Sequence, residues 1–129
     1  MDYTIKALIH NADGRALLVK RKKSKKWSLS GGHPRGDESD EECLRRELWE
    51  ELRLKKIFGI EFLCRWDCRA SIYIVRGKLP EPLRAYDELQ DARHFRYPMM
   101  CGLTPLTRHS LKKYSEYLEA MNRRSLIIG

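Results

Sequence analysis

From Thr4 to His10 the chain reads TIKALIH, a weak alternation of polar and apolar side chains at the two-residue period of a strand. Asn11-Ala12-Asp13-Gly14 is turn chemistry, with Asp-Gly the strongest pair for a tight reversal. Arg15–Lys20 (RALLVK) predicts a second strand, paired with the first as a hairpin. A short Trp27-Ser28-Leu29 segment then leads into Gly31-Gly32. Leu44, Leu48 and Leu52 recur every four residues, the apolar stripe of a helix. Ser39-Asp40-Glu41-Glu42 has the S-x-x-E form of a capping box, so the helix is predicted from just after Ser39 to about Leu52. Ile57–Trp66 and Ala70–Arg76 predict strands, Pro80 and Pro82 break the pattern, and Ala92–Tyr97 predicts another short strand. Thr104-Pro105 opens a second helix, an N-cap followed by proline at the first helical position. Its apolar face is Leu111, Tyr114, Leu118 and Met121, and the tail from Arg123 to Gly129 is expected to be loosely held. Strands, a helix, more strands and a terminal helix predict an α/β fold, a mixed sheet covered by helices on both faces.

At 129 residues the chain has the size of one domain, 1–129. No apolar run approaches the length of a membrane span, and the N-terminal residues have no signal-peptide pattern, so a cytoplasmic protein with no membrane contact is expected. The four cysteines contain no C-x-x-C pair and are read as reduced thiols. Charge changes the picture more. The net charge is +8, and KRKKSKK, Lys20 to Lys26, has six basic residues in seven. Such a run is either a solvated surface loop or a collar for an anionic substrate, with RNA the less favoured partner.

Against that basic background, eight of the 18 acidic residues fall between Asp37 and Glu51. Glu47, Glu50 and Glu51 stand at i, i+3 and i+4, on one helix face with Cβ atoms about 5–6 Å apart. Two like charges at that distance cost about 3 kcal/mol at an effective dielectric near 20, before solvent screening. Arginine pairing through Arg46 offsets part of this, and a hard cation such as magnesium or manganese, which prefers carboxylate oxygens, would offset more.

Counted from Gly32, Glu38 stands at +6, Arg46 at +14, Glu47 at +15, Glu50 at +18 and Glu51 at +19, with Leu48 and Leu54 at the aliphatic positions. This resembles the Nudix box, G-x5-E-x7-R-E-U-x-E-E-x-G-U, with eight of its nine specified positions filled between Gly32 and Leu54. WSLSGG resembles the W-x-L-P-G-G that usually leads into the box, with Ser30 where proline is common, and YDELQDARHF resembles a segment that many members place after the central sheet. The departure is Arg53, where the family has a helix-ending glycine; arginine there must adopt the left-handed conformation, or the helix must end differently.

The resemblance implies a Nudix-like α/β/α sandwich and a metal-dependent hydrolase of the pyrophosphate linkage in a nucleoside diphosphate derivative: a nucleoside triphosphate, nucleotide sugar or dinucleotide. It implies Mg2+, with Mn2+ as an alternative, held by Glu47, Glu50, Glu51 and the Gly31 carbonyl. Arg46 and Glu38 would brace the loop that starts at Gly32 against the helix. The base would be Glu47, Glu50 or a downstream acid, for which Glu88 is the candidate ahead of Asp87 and Glu81. Arg21 and Lys23 are candidates for substrate phosphate and Trp27 for stacking on a base. Relatives that dimerise make a homodimer an expectation as well. A different class of reading, a catalytically weak nucleotide- or RNA-binding module, is motivated by Arg53 and the positive charge, and a third combines the two as hydrolysis at an RNA 5′ end.

Overall fold

The computed structural model describes residues 3–11, 15–96 and 102–128, with side chains as far as residue 122. In chain order the elements are β1 (Thr4–Leu8), β2 (Ala16–Arg21), β3 (Trp27–Ser28), β4 (Ser30–Gly32), α1 (Asp40–Leu52), β5 (Lys56–Trp66), β6 (Ala70–Lys78), β7 (Leu89–Phe95) and α2 (Pro105–Ile128). The strands form a four-stranded mixed sheet, β4-β1-β6-β5, and a three-stranded antiparallel one, β3-β2-β7. In the first, β1 runs parallel to β6 and antiparallel to β4. The expected single mixed sheet is therefore divided in two, and the expected hairpin is only its own base. His10 bridges to Ala16 and the Leu17 amide donates to the Ile9 carbonyl at 2.7 Å, after which β1 and β2 part into different sheets. The Asp-Gly turn lies outside the described residues.

Alternation along the strands feeds two cores. Ile5, Ala7, Leu17 and Val19 pack towards Leu44, Leu48 and Leu52 of α1, all three of which are fully buried. At about 1.5–3 kcal/mol for each such side chain, that stripe is the main reason α1 docks where it does. Leu8, Leu18, Ile72 and Ile74 face the other way, against Leu111 and Tyr114 of α2. The result is the α/β/α sandwich.

The start of α1 follows its sequence: the Glu42 amide donates to Ser39 Oγ at 3.1 Å and the Ser39 amide to Glu42 Oε1 at 3.0 Å. Tyr73 hydrogen-bonds Asp40 in the same first turn. The second helix starts as predicted, with the Thr107 amide on Thr104 Oγ1 at 3.3 Å. Its apolar face is shorter than the periodicity suggests. Leu111 and Tyr114 are buried, but Leu118 and Met121 are 40% and 45% exposed. A helix of 24 residues is about 36 Å long, and among the described residues those it gives to the core lie between Leu106 and Tyr117. Its backbone stays helical to Ile128, through most of the tail expected to be loose. The last strand starts at Leu89, three residues earlier than predicted, and Tyr97 lies outside the described residues. Cys43, Cys64 and Cys68 are free thiols. Among the described residues no helix is long and apolar enough to cross a membrane.

Candidate active site

The last two turns of α1, the β4 strand and the loop after it enclose a cleft of about 740 Å³. Strand β4 can lie this close only as glycine. At Gly31, with φ +138°, a Cβ would stand 2.1 Å from the Ile5 carbonyl oxygen of β1. At Gly32 a Cβ would meet Glu47 Oε1 at 2.4 Å. Gly32→Ala is therefore expected to fold but to displace the Glu47 carboxylate. A misplacement of that kind costs about 10²-fold in turnover, and steady-state kinetics beside a thermal melt would check it.

Arg46 ties the loop to the helix. Its Nε donates to Glu38 Oε2 at 2.7 Å and its Nη2 to Glu38 Oε1 at 2.9 Å and to the His33 carbonyl at 3.0 Å. Its Nη1 reaches Glu47 Oε1 at 3.0 Å and Glu50 Oε1 at 3.5 Å. Glu38 also accepts the Arg35 amide at 2.8 Å. The Arg46 hydrogen bonds, followed by that amide, pull the Glu38 carboxyl from 4.5 down to about 2. A depressed folded value contributes stability that is complete above the unfolded value and lost as pH falls. Wild type should thus melt above Glu38→Gln by a constant margin from about pH 5 upwards, and the margin should close between about pH 4.5 and 2. A margin independent of pH would deny Glu38 this role.

Glu51 is the most enclosed of the three helix glutamates, at 3% exposure. Its Oε1 accepts Ser30 Oγ at 2.7 Å and the Gly31 amide at 3.1 Å, and its Oε2 accepts Arg21 Nη1 at 2.7 Å. Arg21 Nη2 in turn donates to the Gly31 carbonyl at 2.8 Å. Glu50 is more open and meets Arg35 at 3.4 Å. Glu88 stands on the rim, 83% exposed, with Oε2 3.7 Å from Arg21 Nη1.

The cleft thus presents a set of hard oxygen donors: the Glu47, Glu50 and Glu51 carboxylates and the Gly31 carbonyl. As the side chains stand, no three acidic, histidine or cysteine groups among the described residues converge as a metal cage; Glu51 is bonded to Arg21 and Glu47 to Arg46. The donor set nevertheless fits a divalent cation. Burial, and next the charge of Glu51, push the Glu47 carboxyl up even with Arg46 bonded to it, so a cation beside it would favour its ionised form.

Of the residues singled out in the sequence, the structure brings Arg21, Gly31, Gly32, Glu38, Arg46, Glu47, Glu50 and Glu51 together, with Asp87 and Glu88 at the edge. It does not bring Lys23 or Trp27 to the cleft lining. Lys23 lies in the exposed turn between β2 and β3, and Trp27 packs edge-on against Phe95, ring centroids 4.7 Å apart, beside the α2 core. Three contributors were not legible. Lys6 lines the cleft, its amine lowered to about 8 by burial and by Arg21, although Glu51 and Glu47 pull the other way. A lysine inside the alternating TIKALIH was the available signal. Ser30 replaces an imino acid with a hydroxyl that Glu51 uses, and Arg35 reaches Glu50 from the loop.

The chain matches the NUDIX domain family model over residues 2–115. No curated protein matches it. Its fold is similar to that of a nudix hydrolase family member from Chromobacterium violaceum (TM-score 0.74, 20% identity, covering 99% of this chain and 94% of that one). It is also similar to a MutT NUDIX hydrolase from Burkholderia pseudomallei (TM-score 0.71, 25% identity, 87% and 96%). A third likeness is to a bifunctional NMN adenylyltransferase/ADP ribose pyrophosphatase from Francisella tularensis, complexed with AMP and a Mn ion (TM-score 0.56, 22% identity, 77% and 35%). With a family match over most of its length, and Gly32, Glu47, Glu50 and Glu51 of the box lining one cleft, this chain belongs to the Nudix hydrolase family.

Proposed function

We propose that this Nudix hydrolase cleaves the pyrophosphate linkage of a nucleoside diphosphate derivative, with Mg2+ as cofactor and Mn2+ as a substitute. The observation that carries the reading is the pairing, in one cleft, of three helix glutamates with Lys6, Arg21 and Arg35. Carboxylates alone would repel a polyphosphate, and cations alone would bind it without chemistry. Glu47, Glu50, Glu51 and the Gly31 carbonyl would hold the metal. A divalent ion there supplies Lewis-acid stabilisation of phosphate oxygens and a lower pKa for the attacking water.

The chain's own residues do the rest. Lys6, Arg21 and Arg35 bind and orient the phosphate oxygens. Arg46 and Glu38 fix the loop so that the Gly31 and Gly32 backbone stays against the helix. Glu88 is the base: unlike Glu47, Glu50 and Glu51 it is exposed, and its ion pair with Arg21 is long. It takes the proton of a water whose oxygen forms a new bond to phosphorus while the bridging P–O bond breaks and the leaving phosphate departs. Such a base is worth about 10²–10⁴-fold.

A second reading, the 5′-phosphate end of RNA, is favoured by one contact. The Lys22 amide donates to the Glu88 carbonyl at 3.0 Å, so the turn bearing Lys22, Lys23, Lys25 and Lys26 abuts the rim of the cleft. Product release from nucleoside triphosphates, dinucleotides, nucleotide sugars and 5′-triphosphate RNA, with Mg2+, with Mn2+ and with neither, tests both. Metal-dependent cleavage of a free nucleotide supports the first, and cleavage of RNA alone, falling steeply with salt, supports the second. No cleavage of any of them would overturn the hydrolase reading in favour of a binding role.

A further inference from the structure

We propose that Arg53 is a positioning residue that clamps the loop carrying Glu88 onto the end of α1, in place of the glycine that usually ends this helix. Arg53 adopts the left-handed conformation, φ 55° and ψ 31°. Its amide closes the helix on the Trp49 carbonyl at 3.0 Å, which any residue in that conformation would do. Its side chain does what glycine cannot. Nη1 donates to the Trp49 carbonyl at 2.9 Å and to the Glu50 carbonyl at 2.7 Å, so the charge sits on the negative end of the helix, where no other basic residue stands in the last turn. The guanidinium carbon lies 5.3 Å from the Trp49 ring centre and 4.4 Å from that of Tyr86. Held by two carbonyls and flanked by two rings, it is a fixed platform for Tyr86.

Tyr86 is the anchor of the loop. Its amide donates to the Glu51 carbonyl at 2.9 Å, and its own carbonyl accepts the Leu89 amide at 3.1 Å, which closes the turn through Asp87 and Glu88. Asp87 is itself left-handed, φ 55°, so the turn is a defined conformation and not an open arc. Ring on Arg53 and amide on Glu51 hold the start of this turn, whose other end is held by the Lys22 amide on the Glu88 carbonyl. The clamp also joins the loop to the helix turn that presents Glu50 and Glu51. The inference rests on the reading of Glu88 as the base, but the clamp can be measured without it.

Arg53→Gly suits the left-handed position and should fold, as should Tyr86→Leu, whereas Tyr86→Phe keeps the ring and should behave as wild type. In amide hydrogen exchange, Arg53→Gly and Tyr86→Leu are expected to speed exchange at Tyr86 and Leu89 about tenfold or more relative to amides in the middle of α1. Unchanged exchange there would overturn the clamp. The role in positioning is read from a double-mutant cycle. Arg53→Gly should lower kcat about tenfold in wild type and less than about twofold in Glu88→Gln, because a base already removed cannot be misplaced. Equal factors in the two backgrounds would mean that Arg53 acts elsewhere. If Glu88→Gln alone keeps full turnover, the base assignment falls, and the exchange result alone decides the clamp.

Discussion

Glu50→Gln is expected to lower kcat about 10²–10⁴-fold while the melting temperature stays within a few degrees of wild type. The size follows from what the carboxylate would do: stabilising a cation and, through it, transition-state charge is worth several kcal/mol. The specificity follows from what it does not do. Its contacts to Arg35 and Arg46 are 3.4 and 3.5 Å long and partly exposed, and such pairs contribute about 0–1 kcal/mol to folding. Its neighbours are poorer probes. Glu51 holds Arg21, Ser30 and the Gly31 amide, so its loss would confound chemistry with folding. Glu47 is the partner of Arg46. Kinetics on whichever substrate the product panel identifies, paired with a thermal melt, decides the matter. Full turnover in Glu50→Gln would remove the acidic helix from the chemistry.

How much of this was readable before folding depends on distance along the chain. Helix α1 was legible to its ends because its signals are local: the Ser39 capping box and a leucine every four residues. The grouping of Arg46, Glu47, Glu50 and Glu51 followed from helix geometry, and that of Gly32 and Glu38 from a spacing that resembles a family pattern. What the sequence concealed is set by strand register. Lys6 enters the cleft because β1 pairs with β4 so that Lys6 stands opposite Gly31, a long-range pairing that no periodicity announces. Trp27 and Lys23 are close to Arg21 in the chain, yet β2 ends at Arg21, and of the three only Arg21 lines the cleft. The parting of β1 and β2 into two sheets is of the same kind. A turn signal specifies that the chain reverses, but not that the reversed strands remain partners beyond its base. Arg53 was legible as an anomaly but not as a device, because its ring partner Tyr86 is brought to it by the loop after β6.

Arg21 joins the largest expected effect on stability to the question of the metal. Arg21→Ala leaves the Glu51 carboxylate at 4% side-chain exposure with Ser30 Oγ and the Gly31 amide but without its guanidinium. Removing one partner of a buried pair costs about 3–5 kcal/mol; Arg21 is itself 26% exposed, so water screens part of the loss and about 2–3 kcal/mol is expected. In a chain of this size that lowers the melting temperature by roughly 10 °C. The same guanidinium occupies two of the oxygens assigned to the metal, Glu51 Oε2 at 2.7 Å and the Gly31 carbonyl at 2.8 Å. Removing it opens both. Mg2+ should therefore raise the melting temperature of Arg21→Ala more than that of wild type, since a ligand stabilises the folded state by about 2.7 kcal/mol at roughly a hundred times its Kd. Turnover should stay low even with the fold restored, because the phosphate has lost a cation that orients it. If metal stabilises both proteins equally, the guanidinium does not compete for those oxygens; if Arg21→Ala melts with wild type in its absence, the Arg21–Glu51 pair does not hold the fold.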